Sequence, residues 1–211
     1  MIRRPPRSTP KPSSAASDVY KRQLLLVCSG GRQRHVCPFG RVELMRSDDG
    51  GVHWTWPQTL VDTAIDDRDA GVVETPRGSL LVTTFTSIAF EKKQYAPKPT
   101  DKRAAAWRAA RNRVPAATRQ KMLGEWIIRS TDGGKSFPER SFLSDYGCEI
   151  NLTELSPGRL IAAIRYQPGP PDKPETNKTL FLADSADGGL TWTNHRQLTN
   201  VGGQCHGMKM T

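Results

Sequence analysis

The chain has 211 residues, of which 36% are hydrophobic and 25% charged, and its formal net charge is +10. No apolar run approaches the roughly 18–20 residues that a membrane-spanning helix needs, so no such span is predicted. The excess of positive charge lies in two segments: residues 1–23 carry +5, residues 91–124 carry +8, and the remainder carries −3. Because the remainder is slightly acidic, we reject the nucleic-acid-binding function that a basic chain would otherwise suggest.

Residues 1–23 have no apolar periodicity and stop abruptly before an apolar strand that begins at Leu24. Their last part, residues 18–23, resembles the translated end of a transposon-based sequencing adapter. We therefore interpret residues 1–23 as a disordered assembly artefact and exclude them from fold prediction, with a disordered basic arm as the alternative. The true N-terminus would then be missing, so the sequence indicates no compartment.

The pattern Ser-x-Asp-x-Gly-x-x-Trp/Phe occurs three times, in residues 47–54, 130–137 and 185–192, which are termed boxes 1, 2 and 3. The Asp carboxylate can accept hydrogen bonds from the N–H groups that follow it, and glycine supplies a positive φ, so each box predicts a tight hairpin turn. The boxes start 83 and 55 residues apart, and leaving out the 34 residues from 91 to 124 reduces the longer spacing to 49. A repeat of about 50 residues is typical of a four-stranded propeller blade.

The segments after boxes 1 and 2 contain two apolar strands joined by a turn, residues 70–82 and 150–164. Short strands with turns at regular spacing predict an all-β closed or radial fold. The 188 residues from 24 to 211 suffice for about three blades. Because a three-blade arc would leave open sheet edges, we expect the chain to be a fragment of a larger propeller.

The three boxes resemble the Asp box, or BNR repeat, of the sialidase (neuraminidase) superfamily, and the resemblance covers roughly residues 24–211. It implies an all-β, sialidase-like six-bladed β-propeller, of which about three blades are present here. In that family the boxes join the third and fourth strands of a blade, on the side away from the active site. We therefore expect the boxes to be structural.

The basic insertion, residues 91–124, is predicted to be helical. Thr100 precedes charged residues in the manner of an N-cap, and an apolar stripe at helical spacing follows, formed by Trp107, Ala110 and Val114. Pro115 should end this helix, and a second short helix is predicted over residues 116–123. We interpret the insertion as a solvated helical hairpin that rests on the propeller through Trp107; alternatively, it is a rim that shapes the cleft or attracts an anionic glycan.

Candidate site residues follow from the register of the repeat. Nine positions before the turn glycine of each blade, the chain contains Asp69 and Glu149, and the matching place in the third blade is Cys205 or His206. The resemblance implies that the loops at these positions lie on the mouth face. We therefore expect Asp69, with its neighbour Arg68, to share one cleft with Glu149 and His206.

Glu149 is followed 16 residues later by Arg165. The resemblance implies that this glutamate assists a tyrosine nucleophile and that this arginine is one of a triad that binds the sugar carboxylate. The residue types suit that chemistry, because a neutral phenol avoids repulsion by an anionic sugar and guanidinium groups bind carboxylates bidentately. The alternatives are a surface salt bridge for Glu149 and a strand-end cation for Arg165.

Residues 28–32 are similar to the family's Ala-Glu-Gly-Arg segment, which implies substrate binding by Arg32. A catalytic aspartate should follow, but the loop over residues 33–40 has none, and His35 or Cys37 occupies its approximate place. His35 could transfer protons or bind substrate; alternatively, one of residues 66–69 supplies the acid, and Asp69 is our catalytic candidate. Arg32 and His35 could instead simply bond backbone carbonyls.

The function implied is an exo-glycosidase that removes terminal sialic acid, or a related acidic sugar, from glycoconjugates. The tyrosine and two further arginines would lie outside this chain, so the fragment should be inactive alone. The alternative is a non-catalytic propeller that binds a glycan or a protein. No cofactor or metal is predicted. Thiols and imidazoles suit zinc, but the candidate ligands come from different blades, so we expect unlinked thiols instead. These candidates are His35, Cys37, Cys148, Cys205 and His206.

Overall fold

The computed structural model describes residues 23–167 and 178–199, which form three antiparallel sheets. The first sheet contains β1 (Leu24–Gly30), β2 (Arg41–Ser47) and β3 (Gln58–Val61). The second contains β4 (Asp66–Glu74), β5 (Leu80–Ser87), β6 (Gly124–Ser130) and β7 (Glu139–Ser144). The third contains β8 (Gly147–Ser156), β9 (Arg159–Tyr166), β10 (Thr179–Ser185) and β11 (Thr193–Thr199). Strands adjacent in sequence are adjacent in each sheet, so the all-β fold class is confirmed.

The boxes connect equivalent strands. Box 2 joins β6 to β7 and box 3 joins β10 to β11, which are the third and fourth strands of their sheets. Box 1 joins β2 to β3, so β1–β3 correspond to the last three strands of such a sheet. The innermost strands of the two complete sheets are therefore β4 and β8, and both begin at the end opposite to the boxes.

Each box is held by a short polar network, as box 2 illustrates. The Asp132 carboxylate accepts the N–H groups of Lys135 and Ser136 at 2.9 and 3.0 Å. The Ser130 hydroxyl donates to Asp132 at 2.7 Å and accepts the buried N–H of Gly134 at 2.9 Å. Gly133 and Gly134 have φ of 74° and 78°, which side-chain-bearing residues adopt at a cost. Box 3 repeats these bonds around Asp187.

Replacing Ser130 with alanine is expected to destabilise the protein by about 1–3 kcal/mol, because the buried Gly134 N–H would lose its acceptor. Ser136→Ala is the matched control: its hydroxyl is exposed and bonds the same aspartate, so its loss should cost clearly less. Urea denaturation of both variants measures the difference. Equal costs would mean that the buried N–H is satisfied by another acceptor.

Two apolar clusters join the sheets. The first packs β1 and β2 against the second sheet, with Val27 and Leu44 facing Leu80 and Val82. The second packs the other face of the second sheet, including Leu81, against the third sheet. The second sheet is thus buried on both faces. The box aromatics extend both clusters: Phe137 packs on the first and Trp192 packs on the second.

The insertion between β5 and β6 contains a 3₁₀ helix (Ala89–Glu91) and two helices, α1 (Ala104–Arg111) and α2 (Ala116–Lys121). The predicted Thr100 cap is wrong: α1 is preceded by Arg103, whose N–H and guanidinium bond Asp101 instead. Val114 lies beyond α1, although Trp107 in the same predicted stripe is buried. The second helix is also shorter than expected. No helix in the described part of the chain is long and apolar enough to cross a membrane.

Candidate functional site

The predicted site residues lie at the starts of β4 and β8, the innermost strands of adjacent sheets. Residues 66–69 and 147–149 were expected in loops, but they belong to the strands. Asp66, Asp67 and Arg68 pair with the end of β5, and Glu149 pairs with Arg165 of β9. The hydrogen-bonded ladders therefore hold these side chains more firmly than a loop would.

Asp66 and Arg32 form a buried ion pair. The Arg32 guanidinium donates to both carboxylate oxygens of Asp66, at 2.8 and 3.2 Å, and the Cys37 N–H donates at 3.5 Å. The Asp66 side chain is 0% exposed, and burial raises its pKa to about 6 although Arg32 and Arg68 favour the charged form. Gly40 lies against this pair, where a Cβ would collide with both partners.

His35 connects the loop over residues 31–40 to β4. Its carbonyl accepts a hydrogen bond from Arg32, and its ring Nε2 lies 3.2 Å from the Arg68 guanidinium. Burial and the positive charge of Arg68 lower the pKa of His35, while Asp69 and Glu149 act in the opposite direction. At neutral pH the ring is therefore uncharged and can accept the Arg68 N–H through Nε2. Protonation of His35 at Nε2 would remove this acceptor and with it the hydrogen bond from Arg68.

Asp69 occupies a strained position. Its φ is 46°, and the register between β4 and β5 shifts between Arg68 and Gly71. Such a bulge redirects a side chain, and a non-glycine residue at positive φ is held there by its surroundings. The charge of Asp69 acts on His35 and on Cys148 of β8. Asp69, on β4, thus lies near the start of β8.

Glu149 and Arg165 are cross-strand neighbours on β8 and β9 and form an ion pair, with side chains 25% and 11% exposed. Arg165 also bonds the Gln167 side chain. Cys148 donates its thiol to the Arg165 carbonyl at 3.5 Å, and burial raises the pKa of Cys148 to about 12. The thiol therefore stays protonated and is a poor nucleophile.

The structure brings most of the predicted residues into one neighbourhood. Arg32 and His35 contact β4 through Asp66 and Arg68, β4 contacts β8, and Glu149 of β8 pairs with Arg165. His206 and Cys205 lie outside the described residues. Within residues 23–167 and 178–199, Cys28, Cys37 and Cys148 are free thiols, and no cluster of His, Cys, Asp or Glu could hold a metal ion.

Two features of the site are not evident from the sequence. Asp66 is the principal partner of Arg32, although the two are 34 residues apart. Glu125, at the start of β6, is fully buried beneath the first residue of β8, Gly147, and bonds Ser144. An acidic residue among apolar neighbours just before box 2 is the one signal that could have singled out Glu125.

Solved structures share this arrangement of sheets at low sequence identity. A Dyadobacter fermentans protein of unknown function is 19% identical with a TM-score of 0.53, over 81% of this chain and 50% of that protein. An α-L-arabinofuranosidase from Fusarium graminearum is 12% identical with a TM-score of 0.53, over 83% and 45%. A Hadza microbial sialidase is 16% identical with a TM-score of 0.49, over 82% and 30%.

The likenesses to the Dyadobacter protein and to the arabinofuranosidase establish the fold alone. The chain has a glycosidase-like propeller fold. It spans about half the length of the Dyadobacter protein and of the arabinofuranosidase. No family model matches the chain, and no curated protein is significantly similar in sequence.

Proposed function

We propose that the protein to which this chain belongs is an exo-acting glycoside hydrolase that removes a terminal acidic sugar, with sialic acid as the first candidate substrate. One arrangement carries the proposal: Arg32 and His35 contact the start of β4 through Asp66 and Arg68, and Glu149 pairs with Arg165 at the start of the adjacent innermost strand β8. The site thus combines carboxylates, which can transfer protons, with guanidinium groups, which can bind a sugar carboxylate.

In this proposal Glu149 is the general base that activates the nucleophile, and its ion pair with Arg165 orients the carboxylate. Asp69 is the acid that protonates the leaving group, since the loop after Arg32 contains no aspartate. The contacts to the sugar carboxylate come from Arg32, Arg68 and Arg165, with His35 and His206 completing the binding groups. The phenol nucleophile would come from another part of the protein.

The test is turnover of a fluorogenic α-sialoside by the full-length protein and by Glu149→Gln. We expect kcat/KM to fall about 100-fold or more, because removing a general base typically costs that much. Glu139→Gln is the matched control: Glu139 also forms an ion pair with an arginine, Arg129, but on the outer strand β7. Equal rates for Glu149→Gln and the wild type would remove Glu149 from the mechanism. Cleavage of an α-L-arabinofuranoside instead would overturn the acidic-sugar assignment.

A second candidate function is a non-catalytic propeller that binds a glycan or a protein. Two observations favour it: Arg32 and Arg165 already pair with carboxylates, and an acid is missing from the loop after Arg32. Under this alternative, the full-length protein would bind sialyllactose in calorimetry without releasing sialic acid. Release of sialic acid would exclude it.

A further inference from the structure

The loop over residues 31–40, between β1 and β2, divides its contacts between two neighbours. Arg32 and His35 contact β4 through Asp66 and Arg68. Gln33, Arg34 and Pro38 contact the helical insertion, which follows β5 at the same end of the sheet as the site. Cys37 and Gly40 hold the loop to β4 as well, through bonds to Asp66 and Asp67. The loop is therefore enclosed between the candidate site and the insertion.

Trp107 of α1 makes the main contacts between the insertion and the loop. Its indole N–H donates to the Gln33 side chain at 3.1 Å, and the Arg34 guanidinium lies 5.3 Å from the centroid of its ring. Trp107 is buried in the same cluster as Val36 and Cys37.

Three further contacts tie the loop to the insertion. Arg34 donates to the Tyr95 carbonyl at 3.2 Å and lies 3.8 Å from the Asp101 carboxylate. Arg113, just after α1, donates to the Pro38 carbonyl at 3.2 Å. The insertion thus holds the loop on the side that faces away from β4.

From this arrangement we infer that Trp107 is a positioning residue of the site: by holding Gln33 and Arg34, it keeps Arg32 against Asp66 and His35 against Arg68. Trp107 bonds the residue directly after Arg32 and stacks on the residue directly before His35. A shift of this short segment would therefore move both site residues together. Only the consequence for catalysis rests on the proposed function.

The test is NMR titration of the His35 ring in the full-length protein, with His35→Gln used to assign its signal. The charged groups that face the ring are Arg32, Arg68, Asp69 and Glu149, and burial and Arg68 lower its pKa. In Trp107→Ala the midpoint should rise toward the ordinary value of about 6.5, because the ring moves away from Arg68 and gains solvent.

Trp54→Ala is the matched control, since Trp54 is partly exposed in box 1, and it should leave the His35 midpoint unchanged. Two milder variants keep the test decisive if Trp107→Ala fails to fold. Trp107→Phe keeps an aromatic ring but loses the N–H donor, and Gln33→Leu removes the acceptor; each should move the midpoint in the same direction by a smaller amount.

An unchanged His35 midpoint in a folded Trp107→Ala protein would overturn the inference, as would an equal shift in Trp54→Ala. If the protein cleaves a sialoside, Trp107→Phe should raise KM more than it lowers kcat, since the residues it positions bind substrate. If no glycoside is cleaved but the midpoint moves as expected, the proposed function fails and the positioning role stands.

Discussion

Arg32→Leu is expected to destabilise the folded protein by about 3–5 kcal/mol at pH 8, the usual cost of leaving one partner of a buried ion pair alone. The remaining Asp66 carboxylate would be fully buried with only the long Cys37 N–H bond and the Arg68 charge to stabilise it. At pH 5 the loss should be smaller, because Asp66 then takes up a proton: its pKa is about 6 beside Arg32, and removing Arg32 takes away a charge that lowers it. Urea denaturation at both pH values measures the change.

Arg196→Leu is the matched control for this prediction. Arg196 pairs with Asp184, and both side chains are well exposed, at 39% and 36%, so its loss should cost no more than about 1 kcal/mol. The double variant Arg32→Leu/Asp66→Asn should regain part of the lost stability, since it removes the unpaired charge. Similar losses for Arg32→Leu and Arg196→Leu would contradict the buried pair.

Glu125→Gln is expected to remove a pH-dependent loss of stability. Glu125 is 0% exposed, and burial raises its pKa to about 8, with Ser144 acting in the opposite direction. The native state therefore retains a proton that an unfolded glutamate releases near pH 4.5. Stability falls as pH rises between these two values, because the unfolded state binds fewer protons there. Each pKa unit corresponds to about 1.4 kcal/mol, so the loss should reach several kcal/mol.

Thermal denaturation from pH 5 to pH 9 measures this effect. The melting temperature of the wild type should fall across the range, and that of Glu125→Gln should fall less, because an amide cannot ionise. The decline that remains below about pH 7 comes from Asp66 and Asp67, because burial raises their pKa values to about 6 and about 7. Glu139→Gln replaces a partly exposed glutamate on the neighbouring strand and should keep the wild-type profile. A parallel decline for Glu125→Gln and the wild type would show that Glu125 does not titrate in this range.

The local features of this fold are predictable from the sequence because neighbouring residues determine them. Each box contains its own donors and acceptors, so its turn and its place between two strands follow from the pattern alone. The repeat also keeps its register, which is why Asp69 and Glu149 occur on equivalent innermost strands. Their roles, with those of Arg32, His35, Arg68, Arg165 and His206, stay predictions.

Contacts between distant segments are not predictable in the same way. Nothing near Arg32 or Asp66 indicates that the two side chains meet, since the sheets must first assemble. The helix cap is missed for a different, local reason: Asp101 bonds Arg103, and α1 begins only after Arg103, three residues beyond Thr100. The bulge that turns Asp69 depends on the pairing of β4 with β5, which a single strand does not reveal.

The packing of the box aromatics indicates the order in which the sheets can pack on one another. Phe137 rests on the cluster that includes the first sheet, and Trp192 donates its indole N–H to Ser141 of the second sheet. In both cases the aromatic side chain packs against residues that precede it in the sequence and are therefore synthesised first. During synthesis from the N-terminus, each of these two hairpins can therefore pack on an earlier sheet as soon as it forms. This shortens the time for which its aromatic side chain is exposed to solvent and can promote aggregation.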